Sequence, residues 1–248
     1  MINEAPTAFA ITNAVETHEG DAVIVRRLFP VVGLHHQDPF VLWDHFTVAP
    51  GSGFPPHPHR GFEAITYLFS GAMAHEDNLG NRSTIGPGGA QRFTAGRGIV
   101  HSEMPASEEA ACGIQVWINL AQAQKQIAPD YQGLQAELLP VEKWPGGQRR
   151  IIVGEGSPLV LQTAVTYFEL MLEPKGSFHW QVPEDFKGLL YVAEGTVRVN
   201  DNSLSEGQAL QVFQPAPLAL SSESGGRIMV CFGRAHNEPI RQHGTFVD

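Results

Sequence analysis

Short runs of β-branched, aliphatic and aromatic residues recur along the whole chain, and Gly, Pro, Asn or Asp bounds most of them. Such runs are typical of β-strands joined by turns. They cover residues 22–29, 62–71, 113–120, 149–155, 159–172, 188–200, 208–213 and 227–233. Amphipathic helix patterns are scarce, and the best candidate is the short stretch 121–127. The sequence therefore predicts an all-β protein whose strands close into barrels or sandwiches.

The length of 248 residues allows one large domain or two smaller ones. A polar stretch with several Pro and Gly residues, 126–145, separates two strand-rich halves. In each half a histidine-bearing segment precedes a strand that ends at a glycine turn, at Gly71 in the first and Gly195 in the second. This weak repeat indicates a duplicated unit. We therefore predict two domains, residues 1–132 and residues 133–248.

The formal net charge of −10 argues against direct binding of nucleic acid, because phosphate contacts need clustered Lys and Arg. Cys112 and Cys231 lie in apolar runs, which favours buried thiols in a reducing compartment. The first residues lack the pattern of a signal peptide, and no run approaches the ~18 apolar residues of a membrane span. We therefore expect a cytoplasmic protein that contacts no membrane.

Two pairs of potential metal ligands share an i, i+2 spacing, namely His57 with His59 and His101 with Glu103. Side chains at positions i and i+2 point to the same face of a strand. Two such strands facing each other would bring three imidazoles and one carboxylate around one point. This donor set suits a divalent first-row metal. Four protein ligands also leave coordination positions open for a substrate or for dioxygen.

Glu63 is a second candidate for the carboxylate ligand. It shares strand parity with the first histidine pair, so it could face the same barrel interior. The spacing alone does not separate Glu63 from Glu103. Other histidines are weaker candidates, since His35 and His36 are adjacent and would face opposite sides of a strand. His75 lies in a polar segment that is typical of a turn.

The segment 57–63, H-P-H-R-G-F-E, resembles the first cupin motif, G-x5-HxH-x3-E-x6-G. Gly51 stands in the leading glycine position, and Gly71 stands one residue late. Several stretches between Asp38 and Leu120 are similar, more narrowly, to the pirin family. They are D-P-F-V-L-W-D-H-F, the 57–63 segment, M-A-H-E-D, T-A-G-R-G-I-V-H-S-E-M-P and G-I-Q-V-W-I-N-L.

The resemblance implies a bicupin, in which two antiparallel, jelly-roll-like β-barrels pack face to face. It implies one metal site in the N-terminal barrel, with the ligands His57, His59, His101 and Glu103. Glu63 would then be a structural residue or one that orients a ligand imidazole. The usual metal in the family is iron, and nickel, cobalt, manganese, copper or zinc would also fit the donors.

The second barrel departs from the cupin pattern, because His179 is followed by Trp180 and Gln181 and no HxH pair is present. The resemblance therefore implies a C-terminal barrel without a metal. The C-terminal half matches the family weakly, except for the segments Q-H-G and F-V near the end of the chain.

The resemblance implies an enzyme similar to quercetin 2,3-dioxygenases, which open a flavonol ring with O2 and release carbon monoxide. Glu103 would be the catalytic general base, and Phe54, Met73, Gln115 and Trp117 are candidates for lining the substrate pocket. The alternative is a metal- or redox-dependent regulatory protein that binds a transcription factor or a metabolic enzyme. The motifs are the same in both cases, so the sequence leaves both functions open.

Overall fold

The structure of the protein is a computed structural model that describes residues 8–248. Two single-turn 3-10 helices, Gln122–Gln124 and Ala136–Leu138, are the helical segments within this range. The strands are β1 (Phe9–Asn13), β2 (Val15–Glu19), β3 (Val23–Phe29), β4 (Phe40–Val48), β5 (Phe54–His59), β6 (Phe62–Ser70), β7 (Met73–Asp77), β8 (Arg82–Ile85), β9 (Ala90–Thr94), β10 (Ile99–Pro105), β11 (Ala111–Asn119), β12 (Asp130–Leu134), β13 (Val141–Trp144), β14 (Gly147–Val153), β15 (Val165–Leu172), β16 (Gly176–Gln181), β17 (Phe186–Val199), β18 (Asn202–Ser205), β19 (Gln208–Val212), β20 (Pro217–Ser222), β21 (Gly226–Arg234), β22 (Gln242–His243) and β23 (Phe246–Val247).

The all-β prediction is confirmed. Each of the eight apolar runs overlaps a strand, namely β3, β6, β11, β14, β15, β17, β19 and β21. The short amphipathic helix expected at 121–127 does not form, and this stretch contains the single 3-10 turn Gln122–Gln124 instead. Within residues 8–248, no helix has the length and apolar character needed to cross a membrane.

The first barrel consists of two antiparallel sheets that enclose a common interior. Strands β12-β9-β6-β11-β4-β3-β2 form a seven-stranded sheet, and β5-β10-β7-β8 form a four-stranded sheet. Apolar side chains from both sheets meet inside, including Val25 and Phe46 from the large sheet and Met73 and Ile85 from the small one. The cavity described below opens into this interior.

The second barrel repeats this arrangement, with β17 between β19 and β21 as β6 lies between β9 and β11. Its interior is filled by apolar side chains that include Phe168, Leu190 and Phe232, with Phe178 and Trp180 packed against them. Strand β1 pairs with β19, so the first described strand adds to this second barrel. Strand β12 pairs with β9 and completes the large sheet of the first barrel.

The large sheets of the two barrels pack against each other through a shared apolar cluster. Side chains alternate between the two faces of the sheet along β6. Thr66 therefore points into the first barrel, where it contacts Glu103, whereas Ile65 and Tyr67 point into the interface. Trp43 contacts the ring of Tyr167 across the interface, with centroids 6.1 Å apart. Because both faces of the central strands are buried, the sequences of these strands are almost continuous apolar runs.

His45 lies at this interface and should make the stability of the protein depend on pH. Its Nδ1 is 3.1 Å from the hydroxyl of Tyr191. Burial, helped by the nearby Arg26, lowers the pKa of His45 to about 4. The unfolded chain therefore binds this proton first as the pH falls, and stability is lost between about pH 6.5 and about pH 4.

Comparing the wild type with His45→Gln isolates this contribution from the other titrating groups. Between pH 6.5 and pH 4, the metal-free wild type should lose about 3 kcal/mol more than the variant, at ~1.4 kcal/mol for each unit of pKa shift. Urea unfolding at several pH values measures the difference. Parallel stability curves for the two proteins would contradict a lowered pKa for His45.

Candidate metal centre

Pairing of β5 with β10 brings the three predicted histidine ligands together. The register places His57 opposite His101 and His59 opposite Ile99. One ring nitrogen from each of the three histidines lies within 4.8 Å of the other two. Strand β5 is at the edge of its sheet, which is where Pro58, with no N–H to donate, is tolerated between the histidines.

The hydrogen bonds of the three imidazoles leave lone pairs for a metal. His57 Nδ1 donates to the carbonyl of Pro55 at 2.7 Å, and His59 Nδ1 donates to the carbonyl of Thr245 at 3.3 Å. Because a carbonyl only accepts, the proton of each ring is on Nδ1 and the lone pair is on Nε2. His101 Nε2 is buried and has no hydrogen-bond partner among the described residues. An unpaired buried nitrogen is costly, and a divalent cation would satisfy it.

Burial keeps His59 and His101 neutral, which is the form that binds a metal. Burial lowers the pKa of His59 to about 2, and repulsion from His101 and His57 adds to the effect. Burial also lowers the pKa of His101 well below its ordinary value, again with repulsion from His57. The site therefore fits a divalent metal ion in its geometry and in the neutral form of His59 and His101.

Glu103 lies on the same strand but outside the three-histidine cluster. A bulge between His101 and Glu103 shifts the register of β10 against β5, and such bulges re-aim side chains. One carboxylate oxygen accepts hydrogen bonds from Thr66 at 2.9 Å and Gln91 at 2.5 Å, and the other accepts from Gln115 at 2.8 Å. These donors hold the carboxylate on the cavity wall, and its role as fourth ligand stays a prediction.

The donors to Glu103 belong to a polar row that crosses the large sheet. Arg27, Asp44, Gln115, Thr66 and Gln91 are successive cross-strand neighbours on five adjacent strands. Apart from Gln115, the sequence pattern predicts none of them as site residues. Isolated polar residues inside apolar strand runs are the available signal. Their alignment depends on strand register, which the sequence does not reveal.

One end of this row is a charged pair on the cavity wall. Arg27 donates two hydrogen bonds to Asp44, at 2.8 and 2.6 Å, and also contacts Glu19 at 2.7 Å. Burial raises the pKa of Asp44 to about 6, although the contacts with Arg27 oppose this shift. The pair therefore offers both a cation and a hydrogen-bond acceptor beside the cavity.

Glu63 does not face the metal site, so the parity argument that placed it beside His57 and His59 is wrong. A turn at Gly61, with φ of +86°, separates β5 from β6 and breaks the alternation between them. Glu63 accepts hydrogen bonds from Thr94 and from the backbone N–H of Gln162. Burial raises its pKa. These contacts tie the first barrel to the segment that leads into the second barrel, and none involves an imidazole.

A cavity of about 930 Å³ opens above the histidine cluster. Its volume lies in the range of small-molecule sites. It is lined by Glu19, Gly20, Asp21, Val25, Arg27, Pro30, His35, His36, Leu42, Asp44, Phe46, Phe54, Pro55, Pro56, His57, His59, Glu103, Gln115, Trp117, Ile240, Gln242, Gly244 and Thr245. Phe54, Gln115 and Trp117 thus line it as expected, whereas Met73 is buried in the apolar core instead.

The C-terminal hairpin of β22 and β23 packs against the first barrel next to His59. Val247 is buried in an apolar cluster of the first barrel. Lys125 Nζ donates to the carbonyl of Val247 at 2.9 Å, to the carbonyl of Gly61 at 2.9 Å and to the side chain of Asn119 at 2.8 Å. The hairpin thereby holds the Thr245 carbonyl against His59, a contact that the sequence did not predict.

Comparison with known proteins agrees with this architecture. Family models for pirin and for the pirin C-terminal cupin domain match residues 22–118 and 167–248. A pirin-like protein of Solanum lycopersicum is 37% identical over 245 residues, which are 93% of this chain and 82% of that protein. The chain belongs to the pirin family. Human pirin is 35% identical over 249 residues, which are 94% of this chain and 84% of that protein.

Solved structures support the bicupin fold of this pirin. A quercetin 2,3-dioxygenase from Acinetobacter baumannii has a TM-score of 0.87 and 28% identity, covering 96% of this chain and 90% of that chain. A bacterial pirin from Escherichia coli in complex with nickel(II) has a TM-score of 0.77 and 19% identity, covering 92% and 99%. The fold implied by the sequence motifs is confirmed.

Proposed function

We propose that this pirin is a metal-dependent dioxygenase that opens the ring of a flavonol with O2 and releases carbon monoxide. The proposal rests on a cluster of three imidazoles, two of which line a cavity of about 930 Å³, and on the buried, unpartnered Nε2 of His101. The similarity to the Acinetobacter baumannii quercetin 2,3-dioxygenase supports the substrate class. Iron is the proposed metal, and the donor set also accepts nickel, cobalt, manganese, copper or zinc.

In this proposal, His57, His59 and His101 hold the metal, with Glu103 as the fourth ligand. A bound divalent ion would act as a Lewis acid that stabilises the deprotonated 3-hydroxyl oxygen of the flavonol. Glu103 accepts the proton of that hydroxyl as general base. Its three hydrogen-bond donors keep the carboxylate in place before and after the transfer.

The apolar part of the cavity wall would position the flavonol and exclude water. Leu42, Phe54 and Trp117 present carbon surface that matches the faces of an aromatic substrate. Trp117 is itself held by a hydrogen bond from its ring N–H to the side chain of Gln115 at 2.9 Å. The same amide side chain also donates to Glu103. Gln115 therefore positions both the Trp117 ring, which would pack on the substrate, and the proposed general base.

Anaerobic binding followed by exposure to air tests the proposal. Iron(II)-loaded protein should shift the visible absorption of quercetin, and admission of air should consume O2 and release carbon monoxide. Metal-free protein is the control and should do neither. Quercetin left unchanged by protein loaded with each of the six metals would exclude the dioxygenase function. Capture of a transcription factor or metabolic enzyme only by the metal-loaded form would then support the regulatory alternative.

A further inference from the structure

A buried chain of three side chains extends from the histidine cluster to a surface turn. His101 Nδ1 lies 3.4 Å from His75 Nδ1, and His75 Nε2 lies 3.1 Å from a carboxylate oxygen of Asp77. The side chains of His75 and Asp77 are fully buried. Strand β7 pairs with β10 on the side away from β5, with His101 opposite Asp77. The chain therefore reaches His101 from behind the metal site.

We infer that Asp77 and His75 are positioning residues that fix the tautomer of His101, so that its Nε2 lone pair always faces the metal. This inference rests on the proposed metal centre but not on the reaction carried out there. It assigns a role to His75, which lies on strand β7 and not in the polar turn that its sequence indicates.

The donor and acceptor roles follow from Asp77, because a carboxylate only accepts. One oxygen of Asp77 accepts from the backbone N–H groups of Leu79 and Asn81, at 2.9 and 3.0 Å. The other oxygen accepts from the side-chain amide of Asn81 at 2.9 Å and from His75 Nε2. The turn therefore holds the carboxylate still, with one oxygen directed at His75.

The proton positions along the chain can then be assigned in order. A neutral His75 that donates to Asp77 carries its one ring proton on Nε2, so its Nδ1 is an acceptor. The only ring nitrogen of His101 that faces it, Nδ1, must be the donor. The remaining nitrogen, His101 Nε2, then carries the lone pair, in agreement with its buried position without a hydrogen-bond partner. Metal-binding histidines are commonly oriented through their second ring nitrogen in this way.

A second set of contacts holds His75 in position and links it to Glu103. The imidazole of His75 stacks on the ring of Tyr131, with centroids 3.9 Å apart and an interplanar angle of 14°. The Tyr131 hydroxyl is hydrogen-bonded to Ser83 and donates to the side-chain oxygen of Gln91 at 3.0 Å. Gln91 in turn donates to Glu103. One buried network thus orients both His101 and the carboxylate.

The tautomer can be read directly in the metal-free wild type by 15N NMR of the histidine side chains. We expect His101 to carry its proton on Nδ1 and His75 to carry its proton on Nε2. A wild-type spectrum with the His101 proton on Nε2 would overturn the inference. This experiment needs no substitution and no turnover, so its outcome is independent of the proposed dioxygenase activity.

Asp77→Asn should reverse the direction of the hydrogen bonds between Asp77, His75 and His101. With the amide oxygen kept on the two backbone N–H groups, the amide NH2 faces His75 and makes its Nε2 an acceptor. His75 Nδ1 then donates, and His101 carries its proton on Nε2, where it blocks the metal. We expect this shift in the NMR spectrum together with a loss of Co²⁺ affinity of about 10- to 100-fold.

His75→Phe is the second variant, because phenylalanine keeps the stacking on Tyr131 but offers no acceptor to His101. It should lower Co²⁺ affinity to a similar extent and leave His101 as a mixture of tautomers. Glu76→Gln is the matched control, since the exposed Glu76 side chain is next to Asp77 in the sequence and forms an ion pair with Arg82 at 3.8 Å. Wild-type Co²⁺ affinity in both Asp77→Asn and His75→Phe would also refute the inference.

Discussion

Glu103→Gln should lower flavonol turnover by at least ~100-fold, the usual contribution of a general base. The amide cannot take up the proton of the substrate hydroxyl. In either orientation of the amide, its NH2 group would also face a hydrogen-bond donor. Thr66 and Gln91 donate to one carboxylate oxygen of Glu103, and Gln115 donates to the other. The kcat with quercetin, measured alongside the metal content of the variant, checks this expectation.

Glu63→Gln is the control, because it makes the same chemical change at another buried carboxylate. Glu63 also accepts three hydrogen bonds, from Thr94, Gln162 and Thr163, but it lies on the opposite face of the large sheet. We expect this variant to be less stable and to keep its turnover. Wild-type turnover in Glu103→Gln would remove Glu103 from the mechanism, and loss of turnover in Glu63→Gln with full metal content would point to Glu63 instead.

Gly61→Ala should destabilise the protein by about 3–5 kcal/mol and weaken metal binding. Gly61 has a φ of +86°, and an added Cβ would lie only 1.8 Å from the carbonyl oxygen of Val247. The C-terminal hairpin would have to move, which would take Val247 out of its apolar cluster and the Thr245 carbonyl away from His59. Thermal unfolding and Co²⁺ titration measure the two effects.

Gly51→Ala separates this clash from backbone strain. Gly51 has nearly the same φ, +88°, and an added Cβ there would meet nothing within 4 Å. Gly51→Ala should lower the free energy of unfolding by only ~1–2 kcal/mol, the cost of placing a residue with a Cβ in the left-handed backbone conformation. It should leave metal affinity unchanged. Equal losses of stability in the two variants would show that the hairpin does not press on Gly61.

The residues of the candidate metal site could be predicted to different extents. The i, i+2 spacing identified His57, His59 and His101, because alternation within a strand is a local property. The same argument failed for Glu63, because the turn at Gly61 lies between the two strands and resets the alternation. It also missed His75, whose partner His101 lies 26 positions further along the chain.

The sequence by itself determined the all-β class, the eight apolar strands and the two i, i+2 pairs of potential ligands, because each depends on residues close together in the chain. Only the tertiary structure decided which face each strand presents, how Thr66, Gln91 and Gln115 converge on Glu103, and that the chain returns to brace His59 with Thr245. These features depend on strand register and on packing between distant segments. A shift of one residue in register would turn every side chain of a strand to its other face.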